Sequence, residues 1–311
     1  MRTEVIYELK SGYRVPLQVK SYQFGSEEKT VCIVGAIRGN EVQQLYICSQ
    51  IIRTLKELEE QGKFAKKRGV TVIPSVNHYS MNIGKRFWAM DNSDINRMFP
   101  GYDKGETTQR IAAGVFEKLQ GYKIGIQFGS FYIPGNFMPH VRMIDTSYQK
   151  TELASLFGLP FSVVRTPTPY DTTLLNYNWQ VWNTSAFSIY TEATDSIDEQ
   201  GAQRAVMSVL RFLSRMGIIR INVHGGYDTT NFNESDLEIL RASKGGIYRP
   251  LKKAGENVLE GETIGLILHP YEGTVIEEIR AKQDGIVFFA GNYPLVMEHT
   301  ILFKVIPGLM L

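Results

Sequence analysis

The chain has 311 residues, of which 43% are hydrophobic and 21% are charged, a composition typical of a globular protein with one large domain or a large and a small one. Its formal net charge of +2 is too small to favour nucleic-acid binding through bulk electrostatics. No apolar run approaches the ~18–20 residues that a membrane-spanning helix needs. We therefore expect neither nucleic acid nor a membrane as a partner.

The two cysteines and the N-terminus point to one cellular compartment. Cys32 and Cys48 both lie in apolar stretches, which predicts reduced thiols in the core and no disulfide. The first residues alternate apolar and charged side chains and contain no signal-peptide core. Both features favour a cytoplasmic protein.

Short apolar runs alternate with amphipathic segments over the first two thirds of the chain. The runs predict buried strands at 31–34, 70–73, 124–128, 161–164 and 186–191. Apolar residues at helical spacing predict helices over 42–58, 111–119 and 202–216. Gln61-Gly62 ends the first helix, and Ser196 with Glu199 has the spacing of a capping box before the third. The alternation predicts an α/β domain with a largely parallel sheet and helices on both faces.

The pattern changes after about residue 236. Glycine turns there separate short β-branched runs at nearly regular intervals, at 245–248, 255–258, 261–264, 273–276 and 284–287. We expect an α/β domain over 1–235 and a small all-β domain over 236–311. The second resembles the barrel-sandwich fold of biotinyl and lipoyl carrier domains. Because no lysine occupies the carrier's usual hairpin context, we interpret it as a structural or lid domain.

Polar residues follow several of the predicted strands. Arg38 and Glu41 come after the first buried strand, Gln127 lies in or at the end of another, and Glu192 closes a third. Ligands of parallel α/β sheets bind beyond the carboxyl ends of the strands. We therefore expect these side chains to converge on one pocket.

Several motifs in this region resemble one family. Residues 94–101 read D-x-N-R-x-F-P-G and follow Arg86, and 35–41 read G-x-x-R-G-N-E. Together with 139–143 and 190–192 downstream, they resemble the succinylglutamate desuccinylase/aspartoacylase branch of the zinc carboxypeptidase superfamily. The likeness covers roughly residues 30 to 235, and a C-terminal β-domain also suits that branch. It implies hydrolysis of an amide bond in a small N-acyl amino acid or short peptide that bears a carboxylate.

In that family a His, a Glu three residues later and a distant His hold zinc, which activates a water molecule. The resemblance assigns Glu41 to the metal-binding carboxylate and Glu192 to the general base. It assigns Arg86 to the oxyanion or a second anion contact. The remaining substrate-binding candidates are Asn96 and Arg97, as a carboxylate clamp, and Arg142.

Both histidine ligands of the family are replaced here, by Arg38 and Gln127. A guanidinium stays protonated and has no lone pair for a cation, and a glutamine carbonyl is a poor zinc ligand. Zinc is thus implied by the family but not expected at its usual site. In one alternative, Arg38 replaces the metal's charge, pairs with Glu41, Glu192 or both, and keeps the pocket an anion site.

In the other alternative, a different metal geometry uses Glu41, Glu192 and a histidine, either His140 or His224. Simpler roles stay open as well: His140 as a structural hydrogen-bonder, Asp91 and Asp94 as turn caps, and Arg97 as a salt-bridge former.

The sequence is compatible with two functions. One is an amide hydrolase with an altered metal site. The other is a metal-free pseudoenzyme that binds a small carboxylate ligand through its arginines and Asn96. The oligomeric state stays open.

Overall fold

The computed structural model describes residues 1–12, 15–132, 134–190 and 196–310. The first ten strands are β1 (Arg2–Leu9), β2 (Leu17–Gly25), β3 (Val31–Ala36), β4 (Gly69–Ser75), β5 (Ile124–Gly129), β6 (Gly135–Phe137), β7 (His140–Ile144), β8 (Phe161–Arg165), β9 (Ser185–Tyr190) and β10 (Thr230–Asn233). Over these ranges, nine strands form a sheet in the order β1-β2-β4-β3-β5-β9-β7-β8-β10.

The large sheet is mixed and mostly parallel, as predicted. Strands β4, β3, β5 and β9 run parallel to one another, and so do β7, β8 and β10. The antiparallel pairs are β1 with β2, β2 with β4, and β7 with β9. The carboxyl ends of β3, β5 and β9 therefore meet at one edge of the sheet, where ligands of such folds bind.

Helices cover both faces of this sheet, which confirms the predicted fold class. They are α1 (Val42–Glu60), α2 (His78–Met81), α3 (Thr107–Leu119), α4 (Thr151–Ala154), α5 (Leu175–Val181) and α6 (Glu199–Arg215). Strand β3 shows the pleat: Val31 and Ile33 face the core beneath α1 and α6, while Cys32 and Val34 face the core beneath α3 and α5. Both sides of β3 are buried, which explains its uninterrupted apolar sequence.

Two smaller predictions have different outcomes. Cys32 and Cys48 are buried and free, as expected. The predicted capping box of Ser196 and Glu199 is wrong: α6 begins at Glu199, and the Asp198 side chain accepts a hydrogen bond from the Gln200 N–H at 3.1 Å. With Asp198 as the cap, the third helical position is Gly201, which has no side chain to close a box.

No helix in the described ranges has both the length and the apolar composition needed to cross a membrane.

Two further antiparallel sheets follow. Their strands are β11 (Glu238–Arg241), β12 (Gly246–Pro250), β13 (Asn257–Val258), β14 (Thr263–Leu268), β15 (Val275–Arg280), β16 (Gly285–Gly291), β17 (Leu295–Val296) and β18 (Ile301–Pro307). One sheet has the order β11-β18-β16-β13, and the other β15-β14-β12-β17. Strand β6 also pairs with β16, placing Phe137 opposite Phe289. The chain passes from the large sheet to these sheets over residues 234–237.

A buried ionic network lies at this passage. The Glu234 carboxylate is 2.7 Å from Lys304 Nζ of β18, 3.3 Å from Arg165 Nε of β8 and 3.8 Å from Arg142 Nη2 of β7. Burial alone would raise the pKa of Glu234, but Arg142, Lys304 and Arg165 outweigh it and lower the pKa to about 2. Burial lowers the pKa of Lys304 despite Glu234, so the net stabilisation is smaller than the Glu234 shift alone implies.

We predict that Glu234→Gln destabilises the protein by about 2–4 kcal/mol at neutral pH, because the buried Arg142 and Lys304 and the half-buried Arg165 lose their shared anion. The folded pKa of about 2 lies below the unfolded value of about 4.3. The carboxylate's contribution is therefore complete above the unfolded pKa and is lost as the pH falls towards the folded one. Urea unfolding should show the difference from wild type shrinking to less than half between pH ~7 and pH ~3.

The matched control is Glu260→Gln, which removes the same charge from an exposed position. We expect this variant to stay within about 0.5 kcal/mol of wild type at either pH. A Glu234→Gln protein as stable as this control would show that the network contributes nothing.

Candidate functional site

Residues at or near the carboxyl ends of β3, β5 and β9 surround a cavity of about 180 Å³. Its lining is Arg38, Arg86, Phe87, Asp94, Asn96, Arg97, Gln127, Gly129, Ser130, Phe131, Tyr132, Arg142, Ile144, Arg165, Asp171, Leu174, Asn176, Ser188 and Tyr190. The predicted convergence at the strand ends is thus present for the described residues. Glu192, the predicted general base, lies outside the described residues.

The Arg38 guanidinium is buried between two carboxylates. Its Nη1 is 3.1 Å from Glu41 Oε1, which confirms the ion pair predicted with Glu41. Its Nε and Nη2 grip Asp94 bidentately, at 3.1 Å from Oδ1 and 2.8 Å from Oδ2. Burial would lower the pKa of Arg38, but Glu41 and Asp94 outweigh it and raise the pKa above its usual value. The side chain is therefore a permanent cation.

Glu41 has no free acceptor site. Its Oε2 accepts the backbone N–H groups of Ile37 at 2.8 Å and Arg38 at 2.9 Å. Its Oε1 accepts Arg38 Nη1 and the hydroxyl of Ser130. A carboxylate offers about four lone-pair sites, and these four donors occupy them.

The turn that carries Glu41 depends on a glycine. A Cβ at Gly39 would lie 2.2 Å from the carbonyl oxygen of Lys85. The loop that bears Arg86 therefore packs directly against the backbone of this turn. This approach accounts for the glycine between Arg38 and Glu41 in the motif.

Gln127, which the resemblance assigns to the family's second histidine position, also makes a hydrogen bond. Gln127 is buried, and its Nε2 donates to Asn96 Oδ1 at 3.3 Å. Of the alternative ligands, His224 lines a different and larger cavity, of about 1070 Å³. Nowhere in the described ranges do three His, Cys, Asp or Glu side chains form a group that could hold a metal ion.

His140 has a structural environment. It is fully buried, its Nδ1 is 2.8 Å from the carbonyl oxygen of Met138, and its ring stacks on Tyr190 with centroids 4.8 Å apart. Burial, and then the nearby Arg142, lower its pKa well below the ordinary value. The ring is therefore neutral, in keeping with the simpler of its two predicted roles.

Four further arginines among the described residues line the cavity, Arg86, Arg97, Arg142 and Arg165, and their hydrogen bonding and exposure differ. Arg86 donates to Asn40 Oδ1 at 3.1 Å and to Ser130 Oγ at 3.2 Å, and burial followed by the charge of Arg38 lowers its pKa. Arg97 is 44% exposed, donates to the Tyr170 carbonyl at 3.3 Å and lies 3.7 Å from Asp94.

Arg142 is the least satisfied of these cations. Its side chain is buried, and neither Nε nor Nη2 has a hydrogen-bond partner among the described residues. The Tyr190 ring lies 4.4 Å from the centre of the guanidinium, and Glu234 is near but is shared with two other cations.

Positive charge exceeds negative charge around the cavity. Among the described residues, Arg38, Arg86 and Arg97 share the two carboxylates Glu41 and Asp94. A second group behaves similarly: Arg142, Arg165 and Lys304 share Glu234 and Asp171. Each group has one more cation than anions.

Several site residues escaped the sequence analysis. The sequence predicts Asp94 only as a turn cap. It does cap its turn, through the Asn96 N–H at 3.0 Å, but it also binds Arg38. Ser130 follows β5 and was detectable only as a polar residue at a strand end. Asn176 comes from α5; its Nδ2 donates to Ser188 at 2.8 Å, and its Oδ1 is buried without a partner.

Several known proteins are similar to this chain in sequence or in fold. A 28% identical stretch of 86 residues matches N-alpha-acetyl-L-2,4-diaminobutyric acid deacetylase of Halomonas elongata, and it spans 28% of this chain but only 23% of that relative. A succinylglutamate desuccinylase/aspartoacylase structure from Rhodobacter sphaeroides superposes with a TM-score of 0.77 at 22% identity, covering 93% of this chain and 89% of that one.

Two further structures share the fold. A succinylglutamate desuccinylase from a Silicibacter species gives a TM-score of 0.81 at 17% identity, over 96% of this chain and 92% of its own. The product-bound ectoine utilization protein EutE of Ruegeria pomeroyi gives 0.77 at 17% identity, over 93% and 89%. The model of the succinylglutamate desuccinylase/aspartoacylase catalytic domain matches residues 27–188, just over half of the chain, and the protein therefore belongs to this family.

Proposed function

We propose that this protein binds a small carboxylate-bearing compound, an N-acylated amino acid or a short peptide, at a site where the Arg38 guanidinium takes the place of zinc. The observation that carries the proposal is Arg142, a buried guanidinium on the cavity wall whose Nε and Nη2 have no hydrogen-bond partner among the described residues. Its nearest carboxylate, Glu234, lies 3.8 Å from Nη2 and is shared with two other cations. Buried donors without partners cost about 1–3 kcal/mol each. A ligand carboxylate that accepts from both would remove this penalty through charge-assisted hydrogen bonds.

The charge around the cavity supports an anionic ligand. The described residues around it carry more positive than negative charge, and Arg86 adds a second partly buried guanidinium. A neutral ligand would leave this excess uncompensated. A carboxylate offsets it at low dielectric, where the attraction is strongest.

Other wall residues define the rest of the ligand. The unpartnered Oδ1 of Asn176 is an acceptor, which suits an amide N–H or an ammonium group. Phe131, Tyr132 and Tyr190 provide apolar and aromatic surface for an acyl chain. The volume of about 180 Å³ suits a small molecule, and the Halomonas relative is named for an N-acetylated amino acid.

The absence of zinc is part of the proposal. Arg38 stands at one histidine position and cannot ligate a cation. The Glu41 carboxylate is saturated by four N–H and O–H donors, and the Gln127 amide is bonded to Asn96. No step of the proposed function therefore uses a metal.

We predict that Arg142→Gln weakens ligand binding roughly 10- to 100-fold, because a charge-assisted pair contributes about 1.5–3 kcal/mol. Arg97→Ala should lose less than about tenfold, since its side chain is 44% exposed and exposed ion pairs are weak. The measurement is titration calorimetry with a panel of N-acyl amino acids and short peptides.

Arg249→Gln is the matched control for this series, because Arg249 is exposed on β12 and its variant should bind like wild type. If Arg142→Gln binds a ligand as tightly as wild type, the assignment of Arg142 is wrong. If no member of the panel binds to wild type, the proposed ligand class is wrong.

We predict that Arg38→His combined with Gln127→His creates a zinc site with Glu41 as the third ligand. Removing the guanidinium frees one acceptor site on Glu41 Oε1, and His₂Glu is a known zinc ligand set. After zinc-supplemented expression, elemental analysis should find about one zinc per chain in the double variant. Wild type and Arg38→His alone should contain almost none.

Tightly bound metal in the wild-type protein, lost on Glu41→Gln, would overturn the metal-free proposal. A folded double variant that takes up no zinc would show that the backbone no longer has the geometry of the family's site.

A further inference from the structure

Ser130 occupies an unusual position among the charged groups of the cavity. Its hydroxyl donates to Glu41 Oε1, and its Oγ accepts from Arg86 Nη2 at 3.2 Å and from Arg38 Nη1 at 3.4 Å. The residue follows β5, is partly exposed and lines the cavity. One hydroxyl thus touches a carboxylate and two guanidiniums.

This arrangement has the parts that activate a serine. A hydroxyl is a weak nucleophile until an adjacent base accepts its proton. Glu41 is buried behind Ser130, so the proton points away from the cavity and the oxygen towards it. The two guanidiniums stabilise negative charge on that oxygen, and their contacts at 3.2 and 3.4 Å are long enough to be exchanged for a substrate.

A serine with a purely structural role would need fewer hydrogen bonds to charged groups. Ser188, also on the cavity wall, accepts one hydrogen bond from Asn176. Glu41 has three N–H donors without Ser130. Neither the carboxylate nor Arg38 therefore depends on the hydroxyl for its main partner.

We propose that Ser130 is a nucleophile that transfers an acyl group without a metal, with Glu41 as its general base. Ser130 Oγ attacks the carbonyl carbon of an acyl compound and forms a C–O bond, while its proton passes to Glu41. The carbonyl oxygen becomes an oxyanion, which Arg86 receives. The tetrahedral intermediate expels the leaving group, and an amine or alkoxide takes the proton from Glu41. A less basic group such as nitrophenolate leaves as the anion, and Glu41 then loses its proton to solvent before the next step.

Water completes the cycle. It attacks the acyl–Ser130 ester, gives one proton to Glu41 and expels Ser130 Oγ, which takes that proton back. The products are a carboxylic acid and the free amine or alcohol, and water is the only co-reactant. The proposal shares its cavity with the carboxylate site, but the acyl transfer itself does not require a carboxylate on the substrate.

The test uses p-nitrophenyl acetate, a small acyl donor without a carboxylate. We expect wild-type protein to release nitrophenolate faster than buffer and to carry an acetyl group on Ser130, found by peptide mapping after acid quenching. Ser188 in the same cavity should stay unmodified. Ser130→Ala should fall to the buffer rate, and Glu41→Gln should lose a factor on the order of 100.

Ser130→Cys separates chemistry from structure. A thiol in the same place should restore acetyl transfer and accumulate as a thioester, which Ser130→Ala cannot do. The unfolding temperature of each variant identifies any variant that fails to fold. The wild-type rate and the acetylation of Ser130 can be interpreted even if a variant does not fold.

Release of nitrophenolate by Ser130→Ala at the wild-type rate overturns the proposal, and so does a wild-type protein no faster than buffer. Neither result affects the carboxylate site, which calorimetry on Arg142→Gln tests separately. Conversely, if the protein binds no N-acyl amino acid but is acetylated on Ser130, the assignment of Ser130 as the nucleophile is supported and the proposed ligand class is wrong.

Discussion

The site depends on one buried cation, the guanidinium of Arg38. A charge at low dielectric must be paired, and Arg38 is paired with Glu41 from its own turn and with Asp94 from a loop 56 residues away. Asp94 also accepts the Asn96 N–H. The same ion pairs that neutralise Arg38 therefore fix the turn bearing Asn96 and Arg97 at the carboxyl end of β3.

This constraint ties Arg38 to both carboxylates, so that replacing Arg38 alone would disturb two ion pairs at once. A histidine at position 38 would leave Asp94 without its bidentate partner and Glu41 Oε1 without its guanidinium donor. A guanidinium presents five N–H donors and no acceptor. The residues around it are accordingly acceptors: two carboxylates and the Ser130 oxygen.

The fold was largely predictable because its signals are local. Strands such as β3 are buried on both faces, so their apolar sequence is uninterrupted, and α1 carries its apolar residues on one side. The pair of Arg38 with Glu41 was predictable for the same reason, since three residues separate them. The capping box failed because short polar spacings occur by chance, and Asp198 competed successfully for the helix end.

The rest of the site could not be predicted because it is assembled by topology. Ser130 meets Glu41 across 89 residues, and Asn176 enters from α5 beside Ser188 of β9. No spacing in the sequence encodes these distances. The role of Ser130 follows from the pairing of β3 with β5 in the sheet, and that of Asp94 from the packing of its loop against the turn after β3.

The smaller sheets also shape the cavity, through an aromatic stack behind Arg142. Phe288 of β16 packs on His140 with centroids 4.7 Å apart, His140 stacks on Tyr190, and Tyr190 covers the face of the Arg142 guanidinium. Since burial keeps His140 neutral, the stack adds no competing cation. It covers one face of the Arg142 guanidinium, so any hydrogen-bond partner of that group must approach in the guanidinium plane, at its N–H edges.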